Sequence, residues 1–114
     1  MNTTLIVALV AVAAFVLLKL MSRGDVKSAD ARALVQGGAR LLDVRSPGEF
    51  AAGHIPGAIN VPLDALERKL AQVGPTDRTV IVYCASGARS AAAKRVLMSK
   101  GYADVRNLGP MSAW

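Results

Sequence analysis

The first apolar stretch is long and unbroken, and those that follow are short. From Thr3 to Met21 the chain reads TTLIVALVAVAAFVLLKLM, nineteen residues whose only charge, Lys19, sits near the end. As a helix such a run spans about 28 Å, close to the ~30 Å of a bilayer's hydrocarbon core. It is apolar all round, so no face is reserved for packing on a folded domain. Residues 1–22 are therefore expected to form one transmembrane helix, 23–27 a linker with a brief first strand at Val26, and 28–114 a single small domain.

Beyond the linker the periods alternate. Ser28 is placed to cap a helix with Ala31, Leu34 and Val35 on one face, stopped by Gly37 and Gly38. Arg40 to Val44 (RLLDV) suits a short buried strand. Ser46 to Gly53 carries turn signals around a helical turn, and His54 to Pro62 (HIPGAINVP) reads as extended, punctuated by Pro56 and Pro62. Leu63, Leu66, Leu70 and Val73 recur at helical spacing with Glu67 and Arg68 outward, and Gly74-Pro75 ends the element. Thr79 to Tyr83 (TVIVY) is the most buried-looking strand and delivers Cys84 at its carboxyl end. A helix over Ser90 to Lys100 turns Ala92, Ala93, Val96 and Leu97 inward, and Val105 to Leu108 is the last strand. Strands alternating with helices over short connections imply an α/β fold, a small doubly wound parallel sheet flanked by helices and preceded by the transmembrane helix. In such sheets ligands bind beyond the carboxyl ends of the strands, where Cys84 falls.

Charge fixes an expected orientation. A cleaved secretory signal begins with a positive stretch and ends in small residues. Here Met1 to Thr4 holds no Lys or Arg, whereas Lys19, Arg23 and Lys27 come at or after the end of the apolar run with Asp25 the only nearby acid. The positive-inside rule then gives a single-pass inner (plasma) membrane protein with its N-terminus outside and its domain cytoplasmic. From Ser22 onward there are 13 basic and 8 acidic residues. That mild excess suits an anionic leaflet or small anionic substrates. Scattered basic residues with two Tyr, two Phe and one Trp do not make a nucleic-acid surface.

Cys84 is the only cysteine and His54 the only histidine. No intrachain disulfide, CxxC pair or cysteine-rich zinc site can form, and no metal site is expected. The loop Cys84-Ala85-Ser86-Gly87-Ala88-Arg89-Ser90 joins strand to helix through small residues, so its N–H groups can turn inward as a nest for an anion, with Gly87 supplying positive φ where the curl needs it. A thiol there feels those donors and the helix N-terminus, both of which favour the thiolate. Arg89 at a helix start opposes the macrodipole by about a few tenths of a kcal/mol, a placement that points to an anionic substrate its fork can grip. Spacing alone is also compatible with a buried structural cysteine beside a surface arginine.

This loop resembles the active-site loop of the rhodanese family, and the resemblance runs from about Val26 to Trp114. Leu42-Asp43-Val44-Arg45-Ser46-Pro47-Gly48-Glu49-Phe50 is similar to the family's strand and turn, Gly53-His54-Ile55-Pro56-Gly57-Ala58 to its second signature, and Asn107-Leu108-Gly109 with Trp114 to its closing segment. Two departures touch that segment: Pro110 stands where many members have glycine, and the sequence stops at Trp114. Related phosphatases of this fold place five residues between Cys and Arg, and here Ala85 to Ala88 give four, a shorter loop that favours sulfur over phosphate.

The resemblance implies a sulfurtransferase in which Cys84 takes sulfane sulfur from a donor such as thiosulfate, holds it as a persulfide and passes it to a thiol or cyanide. It implies no cofactor. Arg89 would hold the donor's anionic part, the loop amides would cradle the persulfide, and the hydroxyls of Ser86 and Ser90 would donate to it. Asp43, Arg45, Glu49 and His54 match signature positions and are expected to fix turns and ion pairs more than to act on substrate. The other classes are a non-catalytic binding module at the membrane and a cysteine-dependent phosphatase or arsenate-type enzyme. The expected partners are the small anionic donor, the acceptor, the bilayer, and a membrane or sulfur-acceptor protein.

Overall fold

The computed structural model describes residues 2–22 and 24–114. Met1, counted above in the anchor, and Arg23, counted among the basic residues behind it, lie outside the described residues. Helix α1 spans Thr3–Ser22. Its stretch Thr3–Leu20 has a mean hydropathy of 2.5 and none of it is buried, so it is long and apolar enough to cross a membrane, a character that signal sequences share.

Four strands form one parallel sheet: β1 (Arg40–Asp43), β2 (Ile59–Asn60), β3 (Val80–Cys84) and β4 (Val105–Pro110), in the order β2-β1-β3-β4. The chain steps outward from β1 to β2, then crosses to β3 and continues to β4 on the other side. The reversal opens a crevice beyond the carboxyl ends of β1 and β3. All of Val80, Ile81, Val82, Tyr83 and Cys84 are fully buried, because β3 is central and covered on both faces. On one face Leu42, Val44, Val82 and Cys84 pack with Leu66, Val73, Ala93 and Leu97. On the other, Leu41, Ile81 and Tyr83 pack with Ala31 and Leu108. Helix α2 (Ser28–Gln36) lies on the second face, α3 (Pro47–Ala52) follows β1, and α4 (Leu70–Val73) and α5 (Ala88–Ser99) line the first.

Several expectations need correction. Val26 is in a bend, not a strand, with its side chain packed on the α2 face. Its neighbour Asp25 meets β4 with one backbone bond and its carboxylate in place of a second rung, so no ladder forms. Ser28 is not a cap: Lys27 takes that position without a side-chain bond, and Ser28 Oγ instead donates to the carbonyl oxygen of Trp114 at 2.6 Å. The amphipathic stretch from Leu63 is two elements, a 3₁₀ turn over Leu63–Arg68 and then α4. Leu63 and Leu66 are three apart, as are Leu70 and Val73, which is the repeat of a 3₁₀ turn; the four-residue step straddles Lys69, whose φ of −124° and ψ of 32° break the helix. Within His54 to Pro62 only Ile59–Asn60 pairs as a strand. Helix α5 starts two residues earlier than expected, at Ala88, and β4 runs on to Pro110 across a bulge at Leu108. The Gly109 N–H donates to Asn107 Oδ1 at 2.8 Å to hold that bulge, with Gly109 at a φ of 89°.

Candidate active site

The buried strand β3 ends at Cys84, and the chain reverses at once into α5. Gly87 makes that possible: it adopts a left-handed φ of 99° and turns its N–H back onto the sulfur. Cys84 Sγ accepts from Gly87 N at 2.9 Å and from Ser90 N at 3.4 Å, and lies 3.4 Å from Ser90 Oγ. Ser90 is fully buried, and its hydroxyl also donates to the Gly87 carbonyl at 3.0 Å. Burial pushes the Cys84 thiol up, but its hydrogen bond with the Ser90 hydroxyl and those from the Ser90, Gly87 and Ser86 amides outweigh it, so the thiol lies below its ordinary value. The loop is a nest around one sulfur. Ala85, Ser86 and Ala88 are exposed at its rim.

Arg89 sits in the first turn of α5, and its fork is engaged by Glu49: Nη1 to Oε1 at 2.7 Å and Nη2 to Oε2 at 2.9 Å. Glu49 is itself fixed by the cap of α3. Its Oε1 accepts from the Ser46 N–H and hydroxyl while Ser46 Oγ accepts from Glu49 N, with Pro47 opening the helix. The Arg89 guanidinium and the Ser46 N–H hold the Glu49 carboxyl at about 2. The signature after β1 thus reaches the cysteine loop through one bidentate pair.

Beneath this contact lies a second, buried pair. Asp43 is fully buried at the end of β1, and Arg45 Nη2 donates to its Oδ2 at 2.8 Å and to the Gly53 carbonyl at 2.6 Å. Tyr83, pushed up to about 12 mainly by burial, accepts from Ile55 N at 3.1 Å through its hydroxyl. His54 stands apart: it is exposed, stacked on Phe50 at 3.7 Å, with Nδ1 2.9 Å from the Phe50 carbonyl. Asn60 was not singled out by sequence; its Nδ2 donates to the carbonyls of Asp43 and Arg45 and so clamps the turn leaving β1. An amide inside an apolar strand was the one available signal.

A cavity of about 320 Å³ opens beside the loop, lined by Val44, Ser46, Pro62, Leu63, Asp64 and Arg89. A larger one, about 570 Å³, lies at the opposite end of the sheet near Gly38, Arg78 and Thr79, away from the thiol, and the chemistry belongs to the smaller. Pro110 pairs with Cys84 across β3 and β4, and Trp114 lies against α2, where the Arg32 guanidinium is 4.6 Å from its ring. No cluster of metal-ligating side chains occurs among the described residues.

The parallel α/β sheet thus presents one thiol, cradled by loop amides, at its switch point. Residues 20–114 match the model of the rhodanese-like domain, and the chain belongs to that family. Among its relatives, a sulfurtransferase of Allochromatium vinosum is 44% identical over 75 residues, covering 65% of this chain and 69% of that protein. The thiosulfate sulfurtransferase PspE of Escherichia coli is 41% identical, covering 60% and 66%. The human thiosulfate:glutathione sulfurtransferase is 39% identical, covering 65% and 76%. Among solved structures, the human single-domain sulfurtransferase TSTD1 superposes with a TM-score of 0.67 at 33% identity over 78% of this chain and 89% of that one. An Escherichia coli rhodanese with anions gives 0.63 at 37%, over 68% and 92%.

Proposed function

We propose that the protein is a rhodanese-type sulfurtransferase held in the inner (plasma) membrane by α1, with the domain cytoplasmic and Cys84 carrying sulfur as a persulfide. The observation that carries this reading is the cradle on Cys84 Sγ, with Gly87 N at 2.9 Å and Ser90 N at 3.4 Å. Such donors stabilise negative charge on sulfur before and after sulfur is loaded. With thiosulfate, the Cys84 thiolate attacks the sulfane sulfur, the S–S bond of the donor breaks, and sulfite leaves with the electron pair. A thiolate or cyanide then attacks the outer sulfur of the persulfide and Cys84 departs as thiolate. Neither step requires a cofactor.

Arg89 forms part of the cavity wall; Glu49 holds both of its terminal nitrogens and offsets its charge, and the guanidinium N–H groups left over take the donor's sulfonate. The sulfurtransferase relatives support a sulfur donor of the thiosulfate type and a thiol acceptor. The length of α1 and the basic residues at and after its end support the anchor and its orientation. Thiocyanate production from thiosulfate and cyanide tests the chemistry: full-length protein should turn over, and Cys84→Ser should lose activity by orders of magnitude. Residual activity near wild type in that variant would refute the role of Cys84. Retention of the full-length protein in membranes through alkaline washing tests the anchor, and release by salt would refute it.

A further inference from the structure

The chain enters the domain at a fixed place. Gly24 lies so close to β4 that a side-chain carbon there would come 2.3 Å from the Leu108 carbonyl oxygen, which only glycine avoids. The Asp25 N–H donates to the Asn107 carbonyl at 2.7 Å, and Asp25 Oδ1 accepts from Asn107 N at 2.7 Å. The other carboxylate oxygen pairs with Lys94 of α5. Glycine and aspartate together strap the chain to a strand and a helix at once, where a free linker of this length would let the domain tumble.

The strap has a place. Gly24 lies beside Leu108 and Asp25 beside Asn107, two and three positions before Pro110, the residue paired with Cys84, so the segment meets β4 toward its carboxyl end. At about 3.3 Å per residue, the strap meets β4 within roughly 10 Å of the level of Cys84. Helix α2 begins at the same end, with Ser28 bonded to Trp114, and leads away from it to the turn before β1. Helix α1 ends at Ser22, two residues before Gly24, and buries none of its apolar stretch on the domain.

We propose that this strap turns the carboxyl ends of the strands, and with them the Cys84 cradle, toward the bilayer that α1 enters, so that the sulfur acceptor is a thiol carried by a membrane-embedded protein. The proposal rests on the anchored sulfurtransferase reading and deepens it. The acceptor thiolate attacks the outer sulfur, the persulfide S–S bond breaks, and Cys84 leaves with the electron pair as the acceptor becomes the persulfide.

Orientation is tested on full-length Cys84→Ser protein in phosphatidylcholine vesicles whose headgroups carry a nitroxide quencher. A fluorophore is attached through Ala85→Cys at the loop rim or through Asp77→Cys in the turn before β3, both exposed positions at opposite ends of the sheet. Quenching should be several-fold stronger at position 85, and adding Asp25→Ala should bring the two together. Equal quenching, or stronger quenching at 77, in protein that floats with the vesicles overturns this proposal alone. Failure to float overturns the anchor and the proposal together. Delivery is read with a thiol-headgroup lipid as acceptor for preloaded Cys84. Transfer to it should slow several-fold in Asp25→Ala while transfer to glutathione in solution, which also reports intact folding, stays at the wild-type rate. Equal slowing of both, or of neither, overturns the delivery claim.

Discussion

Ser90→Ala removes the one hydroxyl beside the reactive sulfur. Ser90 is fully buried and places its amide and its hydroxyl around Cys84 Sγ, each at 3.4 Å; the hydroxyl donates to the Gly87 carbonyl while the sulfur is a thiol, and it can rotate to donate to the thiolate. A hydrogen bond to a charged group contributes about 1.5–3 kcal/mol net, and the long distance here puts this one at the bottom of that range. At about 1.4 kcal/mol per decade, the thiol midpoint should rise by about one pH unit, while the Gly87 amide at 2.9 Å keeps it from rising further. A less acidic thiol gives a more nucleophilic thiolate, with a sensitivity of about 0.4–0.5 per unit. Below both midpoints, alkylation should therefore slow only about three- to fourfold, and above both the variant should react about threefold faster than wild type. The pH profile of iodoacetamide alkylation reads this directly, since Cys84 is the only cysteine. An unmoved midpoint, or profiles that never cross, would show that the hydroxyl does not bear on the thiolate.

Other outcomes follow from the charged contacts around the loop. Arg89→Ala should lower kcat/KM for thiosulfate by roughly ten- to a hundredfold, with Lys restoring part, while cyanide discharge of preloaded Cys84 changes much less; an equal fall in both half-reactions would make Arg89 a support of the loop alone. The folded-state value of about 2 for Glu49 lies below its ordinary 4.5, so the contribution of this carboxylate to stability is complete above pH 4.5 and lost as pH falls toward 2. Glu49→Gln should flatten that part of the acid-unfolding curve, and an unchanged slope would refute it. Breaking the buried pair with Arg45→Met leaves Asp43 uncompensated and should cost about 3–5 kcal/mol in urea unfolding. A loss under about 1 kcal/mol, the scale of an exposed pair, would contradict its burial.

The parallel sheet and the cysteine loop were legible because β3 carries its signal in five consecutive residues and because strand, small-residue turn and helix follow without a gap. What sequence missed was set by partners far along the chain. Glu49 and Arg89 are 40 residues apart, so the arginine could be read as open to substrate while its fork closes on a carboxylate. Asp25 looked like a lone acid near the membrane and proves to bridge to Asn107 and Lys94. Ser28 carried a capping residue's chemistry, yet its hydroxyl is bound to Trp114, 86 positions away. The helix from Leu63 failed for a local reason: leucines three apart satisfy a 3₁₀ turn as well as an α-helix, and the choice falls to packing against the sheet.

Acceptance of a single sulfur atom by Cys84 from an anionic donor is read by the intact mass of the full-length protein after incubation with thiosulfate. The expected result is a gain of one sulfur atom that disappears on adding cyanide and is absent from Cys84→Ser. A wild-type mass that stays unmodified, or an equal gain in Cys84→Ser, would contradict it.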